Sequence, residues 1–139
     1  MITTDKTNGS SIKALREKEK QAKEQELKAL AEKFAFERFG ENQVKQWSNE
    51  NKGLFYLPIL GEDEQIEKLA IMKPITRHIL SYASTKITDE GLYAFLEACM
   101  RECFIAGDDC IIDEDEYFIP AANTFNKILE GKKAQLLKR

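Results

Sequence analysis

The chain has 139 residues, a hydrophobic fraction of 42%, a charged fraction of 32% and a net charge of −3, values typical of one soluble globular domain. No apolar run is long enough for a transmembrane helix, and the N-terminus lacks the hydrophobic core of a signal peptide. We therefore expect a protein that stays in the cytoplasm, does not enter a membrane and keeps its three cysteines reduced.

Charge is distributed unevenly along the chain. Residues 1–40 contain nine Lys/Arg and seven Asp/Glu, whereas residues 41–139 contain twelve Lys/Arg and seventeen Asp/Glu. Phosphate binding needs a concentrated basic face. The acidic body therefore argues against nucleic acid as the main ligand.

The first forty residues predict a tail followed by a long charged helix. Residues 1–10 are polar and are expected to be disordered. Ser10 or Ser11 as the N-cap and Gly40 as the stop predict a helix over residues 11–40. Its first half is charged and predicts a solvated helix. Its second half carries an apolar face that is expected to pack or to bind a partner: Leu27, Leu30, Ala31, Phe34, Ala35 and Phe39.

An apolar β-hairpin is predicted next, after a polar linker over residues 41–52. Residues 54–60 (LFYLPIL) and residues 65–72 favour strands, and an acidic turn separates them. Pro58 has no N–H to donate, so the first strand is expected either to lie at a sheet edge or to have an irregular middle. Two strands alone are marginally stable, so helices are expected to cover one face of the hairpin.

Two helices of a compact core are predicted between residues 74 and 107. Pro74 begins the first helix, Thr88 begins the second, and Gly107 follows the end of the second. The second helix has the strongest apolar periodicity in the chain, in Leu92, Phe95, Leu96, Cys99, Met100, Cys103 and Phe104.

A last helix is predicted from Asp113 to Gly131, with a kink or a break into two pieces at Pro120. Residues 132–139 form a short basic tail. The expected fold is α+β and predominantly helical. It has the charged N-terminal helix over residues 11–40, and one domain over residues 54–131 that contains the β-hairpin and a core of three or four helices.

The reactive side chains are explained better by packing than by catalysis. Cys99, Cys103 and Cys110 suggest a metal or redox site, but they lack the paired spacing of zinc ligands, and the first two lie on an apolar helix face. His78 is the only histidine, and neither a nucleophile elbow nor a Gly-rich phosphate loop is present. The acidic residues after the second core helix lack the offsets of a calcium loop. We expect no enzymatic activity, no cofactor and no metal.

Three pieces of the second half form one pattern: LAIMKPITRHILSYAS at residues 69–84, FLEACMRECFIAGDDCI at residues 95–111 and DEDEYFIPAANTFNKIL at residues 113–129. They combine a helix opened by proline, an aromatic–small–Gly–acidic turn and a last helix with an acidic start. With the preceding hairpin, residues 54–129 resemble the small tail assembly chaperones of tailed bacteriophages. The long charged N-terminal helix departs from the short versions of this pattern.

The resemblance implies a non-enzymatic protein in the cytoplasm of a bacterial host cell. Its partner would be the tape measure protein, a long helical chain whose apolar segments aggregate before the tail tube forms around it. Two surfaces are candidates for binding that partner or another phage structural protein. One contains Phe104, Ile105, Asp108 and Asp109, although a core position is favoured for Phe104; the other is the apolar face with Leu27, Leu30, Phe34 and Phe39.

Two other classes remain open. One is a structural protein of a virion or mobile element that forms a homo-oligomer through its N-terminal helix. The other is a small DNA-binding regulator, which the acidic body disfavours. Recovery from finished virions would favour the structural protein, and salt-sensitive retention on DNA would favour the regulator.

Overall fold

The computed structural model describes residues 3–130 and 138–139. It confirms an α+β fold dominated by helices, with a long N-terminal helix, a β-hairpin and a helical core. Residues 132–137 of the predicted basic tail lie outside the described residues. The elements in chain order are α1 (Thr3–Phe39), α2 (Glu41–Asn51), β1 (Phe55–Leu60), β2 (Ile66–Met72), α3 (Arg77–Ser84), α4 (Ile87–Glu90), α5 (Leu92–Cys103), β3 (Phe104–Gly107), α6 (Cys110–Asp113) and α7 (Asp115–Glu130).

The sheet has three antiparallel strands in the order β1-β2-β3. The predicted hairpin is confirmed as β1 and β2, with Leu57 opposite Ala70. The acidic turn closes through a backbone hydrogen bond of 2.9 Å from the Gly61 N–H to the Gln65 carbonyl. Strand β2 lies in the middle and is buried along most of its length, whereas β1 and β3 lie at the edges.

Helices cover both faces of the sheet, because successive β2 side chains point to opposite sides. Leu69 and Ile71 face α1 and α2 and form the helix–hairpin cluster with Ala31, Ala35 and Val44. Ala70 and Met72 face the other way, into the main core. The buried members of the main core are Leu57, Ala70, Met72, Ile79, Ala83, Phe95, Leu96, Cys99, Met100, Cys103, Ile111, Ile112, Phe118, Ala121, Ala122 and Phe125.

The N-terminal region is more helical than its sequence predicts. Helix α1 begins at Thr3, inside the segment expected to be a disordered tail, and residues 41–52, expected to be a linker, form α2. Helix α2 is short and polar, but Val44 is buried and Trp47 packs edge-to-face on Phe39 with ring centroids 5.5 Å apart. Tertiary packing of these two side chains therefore stabilises a helix that its own sequence does not indicate.

The core helices begin and end at different residues from those predicted. Helix α3 begins at Arg77 and not at Pro74, because the Thr76 side chain accepts a hydrogen bond of 3.3 Å from the Ile79 N–H and serves as the N-cap. The second predicted core helix is divided at Gly91 into α4 and α5.

The chain becomes extended directly after α5. That helix ends at Cys103, and Phe104 belongs to β3 instead of the helical stripe. The last predicted helix begins two residues later than expected, as α7, and a short additional helix, α6, precedes it; α7 continues through Pro120 without a break. Packing of Phe118, Ala121 and Ala122 in the main core holds α7 on both sides of that proline.

Candidate partner-binding surface

The second half of α1 lies against the hairpin through small side chains. Ala31 and Ala35 are fully buried in the helix–hairpin cluster, and they allow the helix backbone to approach the sheet closely. Upstream of this contact, residues 11–26 of α1 are exposed; we call them the arm. The point where the arm leaves the sheet lies beside strand β1.

An apolar groove of about 360 Å³ opens at this point, between α1 and the outer edge of β1. We call it the edge groove. Tyr56 and Pro58 pair with Ile71 and Leu69, so their side chains face α1 and form the β1 wall of the groove. The residues that line the edge groove are Glu24, Leu27, Lys28, Ala31, Leu54, Phe55, Tyr56 and Pro58.

The open edge of β1 is poorly suited to receiving another strand. The Leu69 N–H donates a hydrogen bond to the Asp108 side chain, and the Leu69 C=O accepts one from the Asp108 N–H. Both main-chain groups of Leu69 therefore point toward β3 and away from β1. The Pro58↔Leu69 pair is consequently a non-hydrogen-bonded pair. Pro58 and Tyr56 consequently direct their main-chain groups outward, away from β2. Tyr56 offers both an N–H and a C=O at the open edge, but Pro58 has only a C=O. A strand added at this edge would therefore lack one ladder hydrogen bond.

The charges around the edge groove are few and of both signs. Glu24 and Lys28 stand at its rim, and the negative charge of Glu32, together with the dominant effect of burial, raises the pKa of the Tyr56 phenol. Tyr56 is therefore neutral at physiological pH and acts as an apolar wall with a polar end. The edge groove can bind apolar side chains, and its lining contains neither a thiol nor a histidine.

The residues predicted from the apolar face of α1 separate into two groups. Leu27 lines the edge groove, and Leu30, which is 54% exposed, does not. Phe34 and Phe39 are half-buried against the helix–hairpin cluster and contribute to its packing. The predicted apolar face thus combines an anchor for α1 with part of a groove.

The second predicted surface is largely internal. Phe104 packs against the main core and Ile105 packs against the helix–hairpin cluster, since consecutive residues of β3 face opposite sides of the sheet. Asp109 is exposed. The structure therefore does not bring these residues together with Leu27 in one surface.

Asp108 joins three elements of the fold. Its Oδ2 atom accepts hydrogen bonds of 2.9 Å from Arg38 Nη1 on α1 and 2.9 Å from the Leu69 N–H on β2. Burial by itself would raise the pKa of Asp108. The hydrogen bonds from Arg38 and Leu69, with the charges of Arg38 and Lys68, lower it below the ordinary value of 3.8. Asp108 consequently holds α1 to the sheet as a carboxylate.

Replacing Asp108 with alanine is expected to lower the free energy of unfolding by about 1–3 kcal/mol at neutral pH, because the Leu69 N–H loses its acceptor. The pH dependence follows from the lowered pKa. The stability that Asp108 contributes is complete above its unfolded pKa and is lost as the pH falls through the lower folded value. Urea denaturation at a series of pH values measures this. The difference in free energy of unfolding between the wild type and the variant should shrink as the pH is lowered into the acid range.

Asp109→Ala is the matched control, since Asp109 carries the same group on the next residue but is exposed. Its free energy of unfolding should stay within about 0.5 kcal/mol of the wild type. Two results would show that the Asp108 carboxylate does not stabilise the fold through these hydrogen bonds. One is an equal decrease in free energy of unfolding in both variants; the other is a difference between Asp108→Ala and the wild type that persists in acid.

The cysteines and the histidine lie apart from the edge groove. Cys99 and Cys103 are buried in the main core, where burial raises the pKa of the Cys103 thiol to about 11. His78 is exposed on α3. Among the described residues there is no group of three or more His, Cys, Asp or Glu side chains that could hold a metal ion.

Sequence reasoning missed most of the edge-groove residues. Phe55 and Tyr56 were recognised only as parts of a strand, and Lys28 only as a charge on a helix. Pro58 is the one residue of the groove whose type points to an open edge, because a proline in a strand predicts that the strand lies at the edge of a sheet. An edge strand beside the start of an apolar helix face could have indicated a groove between them.

Comparison with known proteins adds no identification. No protein-family model matches the chain, and no curated protein and no solved structure matches it significantly. Within residues 3–130 and 138–139, no helix is both long and apolar enough to cross a membrane.

Proposed function

We propose that this protein is a non-enzymatic assembly chaperone that binds an apolar segment of a helical partner protein in the edge groove. The observation that carries the proposal is the groove itself, an apolar surface left open beside the helix–hairpin cluster, with Leu27 and Tyr56 on its two walls. Apolar grooves of this kind receive the nonpolar face of an amphipathic helix. Chaperoning a partner that aggregates requires such a surface and no catalytic group.

A helix fits the edge groove better than a strand does. A helix satisfies its own backbone hydrogen bonds, whereas a strand at β1 would have to pair with an edge that lacks the Pro58 N–H. Tyr56 and Leu27 lie on the two sides of the groove and provide side-chain contacts that do not depend on a ladder. The bound segment would therefore present apolar residues at spacings of three and four.

The resemblance of residues 54–129 to tail assembly chaperones of tailed bacteriophages supplies a specific partner, the tape measure protein. That protein is long, helical and rich in apolar faces, which agrees with the chemistry of the edge groove. The site of action would be the cytoplasm of the bacterial host, before tail assembly. A structural protein of the virion is the second candidate, and the exposed arm favours it because a free helix can join copies in a particle.

Replacing Leu27 with aspartate is expected to reduce binding of the tape measure protein by at least about tenfold, because a charge would enter the apolar groove. The measurement is co-expression with a tape measure protein of a tailed bacteriophage, taken from a reading frame that neighbours this one, followed by quantification of soluble partner that co-purifies. Circular dichroism would check that the variant keeps its helices.

The matched control is Tyr82→Asp, which places the same charge at a residue that is 50% exposed on α3, outside the edge groove. It should bind the partner as the wild type does. Wild-type protein that leaves the partner insoluble, or Leu27→Asp protein that still binds it fully, would refute the proposal. Recovery of the protein in finished particles would instead support the structural candidate.

A further inference from the structure

Helices α1 and α2 are connected to each other at several points around Gly40. The Gly40 N–H donates a hydrogen bond of 2.9 Å to the Phe36 carbonyl, and the Val44 N–H donates one of 3.2 Å to the Gly40 carbonyl. Phe39 and Trp47, one from each helix, pack edge-to-face. A displacement of one helix would therefore carry the other with it.

This helix pair packs on the sheet through a small apolar contact. Within the described residues, neither helix contributes a side chain to the main core, and both pack in the helix–hairpin cluster on the other face of the sheet. Their fully buried side chains are small: Ala31, Ala35 and Val44. Their aromatic side chains are only half-buried. Local opening is easiest where few large side chains are buried, so the helix pair belongs to the less stable part of the fold.

One ion pair adds a polar link between the helix pair and the sheet. Arg38 Nη1 on α1 lies 2.9 Å from Asp108 Oδ2, directly after β3. Among the side chains that the structure describes, no second hydrogen bond or ion pair joins α1 or α2 to the elements that follow them. The two side chains are 37% and 20% exposed, so salt can reach and screen the pair.

The helix pair continues into β1 through two residues with a positive φ. Lys52 has a φ of +58° and Gly53 a φ of +127°. Glycine changes its backbone dihedral angles at little steric cost, and hinges lie at such ends of elements. Strand β1 pairs with β2 from Phe55 onward. The chain can therefore turn at Lys52 and Gly53 while the hairpin stays paired.

We propose that α1 and α2 form a lid that opens as one unit about Lys52 and Gly53, with the Arg38–Asp108 ion pair as its latch. The closed lid covers Leu69 and provides the α1 wall of the edge groove, whereas β1 provides the other wall. Opening separates the two walls, so the groove exists only while the lid is closed. The lid thereby controls release of the bound partner, and this consequence alone rests on the proposed function.

Hydrogen exchange of the full chain measures the opening. In the wild type, the amides of residues 27–39 and 41–51 should exchange through one common opening that is faster than exchange in α5. Raising the salt concentration to about 1 M, where the Debye length is about 3 Å, should accelerate exchange in both helices of the lid.

Replacing Arg38 with alanine is expected to accelerate exchange in both lid helices at least about threefold at low salt, because the latch is lost. The further acceleration by salt should then disappear. Arg101→Ala is the matched control, since it removes a contact of the same 2.9 Å between Arg101 on α5 and Asp113 on α6, outside the lid. It should leave exchange in α1 and α2 as in the wild type.

Three results would overturn the lid: α2 that stays protected while α1 exchanges, α5 that exchanges as fast as both, or Arg38→Ala protein that exchanges as the wild type does. Adding the tape measure protein should slow exchange in α2, although α2 does not line the edge groove. A partner that binds without slowing α2 would overturn the control of release. A partner that does not bind at all would refute the proposed function, while exchange in the free protein would still decide whether the lid opens.

Discussion

Replacing Gly107 with alanine is expected to lower the free energy of unfolding by about 3–5 kcal/mol. Gly107 ends β3 with a φ of +125°, a conformation that residues with a side chain rarely adopt. An added Cβ would clash with the Leu69 carbonyl oxygen and would lie 3.0 Å from the Ala70 Cα atom. Both are backbone atoms of the central strand, so β3 would have to move away from β2. Urea denaturation followed by circular dichroism measures the loss.

The variant Gly40→Ala separates the cost of placing a side chain at a positive φ from the cost of the clash with β2. Gly40 lies between α1 and α2 with a φ of +91°, but an added Cβ would meet no atom within 4 Å. This control should therefore lose only the conformational part, about 1–2 kcal/mol. If the two variants are destabilised equally, the contact with Leu69 does not determine the requirement for glycine at position 107.

The hairpin and the helical core could be predicted because their signals are local. Residues that favour strands, on either side of an acidic turn, indicated β1 and β2, and apolar spacings of three and four indicated α5 and α7. Pro58 correctly placed β1 at an edge. Each of these inferences needs only neighbours in the sequence.

The elements that were missed depend on contacts between distant residues. Phe104 continues the apolar spacing of α5, so periodicity alone does not show that the helix ends at Cys103. The chain becomes a strand there because β2 has a free edge to pair with, and because Gly107 allows the close approach. Helix α2 depends in the same way on the contact of Trp47 with Phe39.

The role of Asp108 also depends on a residue that is distant in the sequence, and it could not be predicted for that reason. An acidic residue in a turn beside apolar neighbours was a reasonable candidate for the rim of a binding surface. Its partner Arg38 is 70 residues away in the sequence, and their hydrogen bond connects α1 to the sheet. The edge groove likewise combines Leu27 with Tyr56, which only the docking of α1 brings together. The sequence therefore indicated that α1 packs on something, but not which surface remained open.

Replacing Leu69 with alanine is expected to lower the free energy of unfolding by about 2–5 kcal/mol, because it removes a fully buried side chain from the centre of the helix–hairpin cluster. The loss should be concentrated in α1 and α2. Leu69 packs on the face of the sheet opposite the main core, so α5 and α7 keep their contacts. Hydrogen exchange should therefore accelerate more in residues 27–39 than in α5.

Leu60→Ala is the control, since Leu60 is 42% exposed at the end of β1 and its truncation should cost less than about 1 kcal/mol. Equal acceleration of exchange in α1 and α5 in Leu69→Ala would show that the two sides of the sheet unfold as one unit. Unequal acceleration would show that α1 and α2 can detach while the main core stays folded. In that case the edge groove, whose two walls are α1 and β1, would exist only while the helix–hairpin cluster is intact, and partner binding would depend on Leu69 although Leu69 does not line the groove.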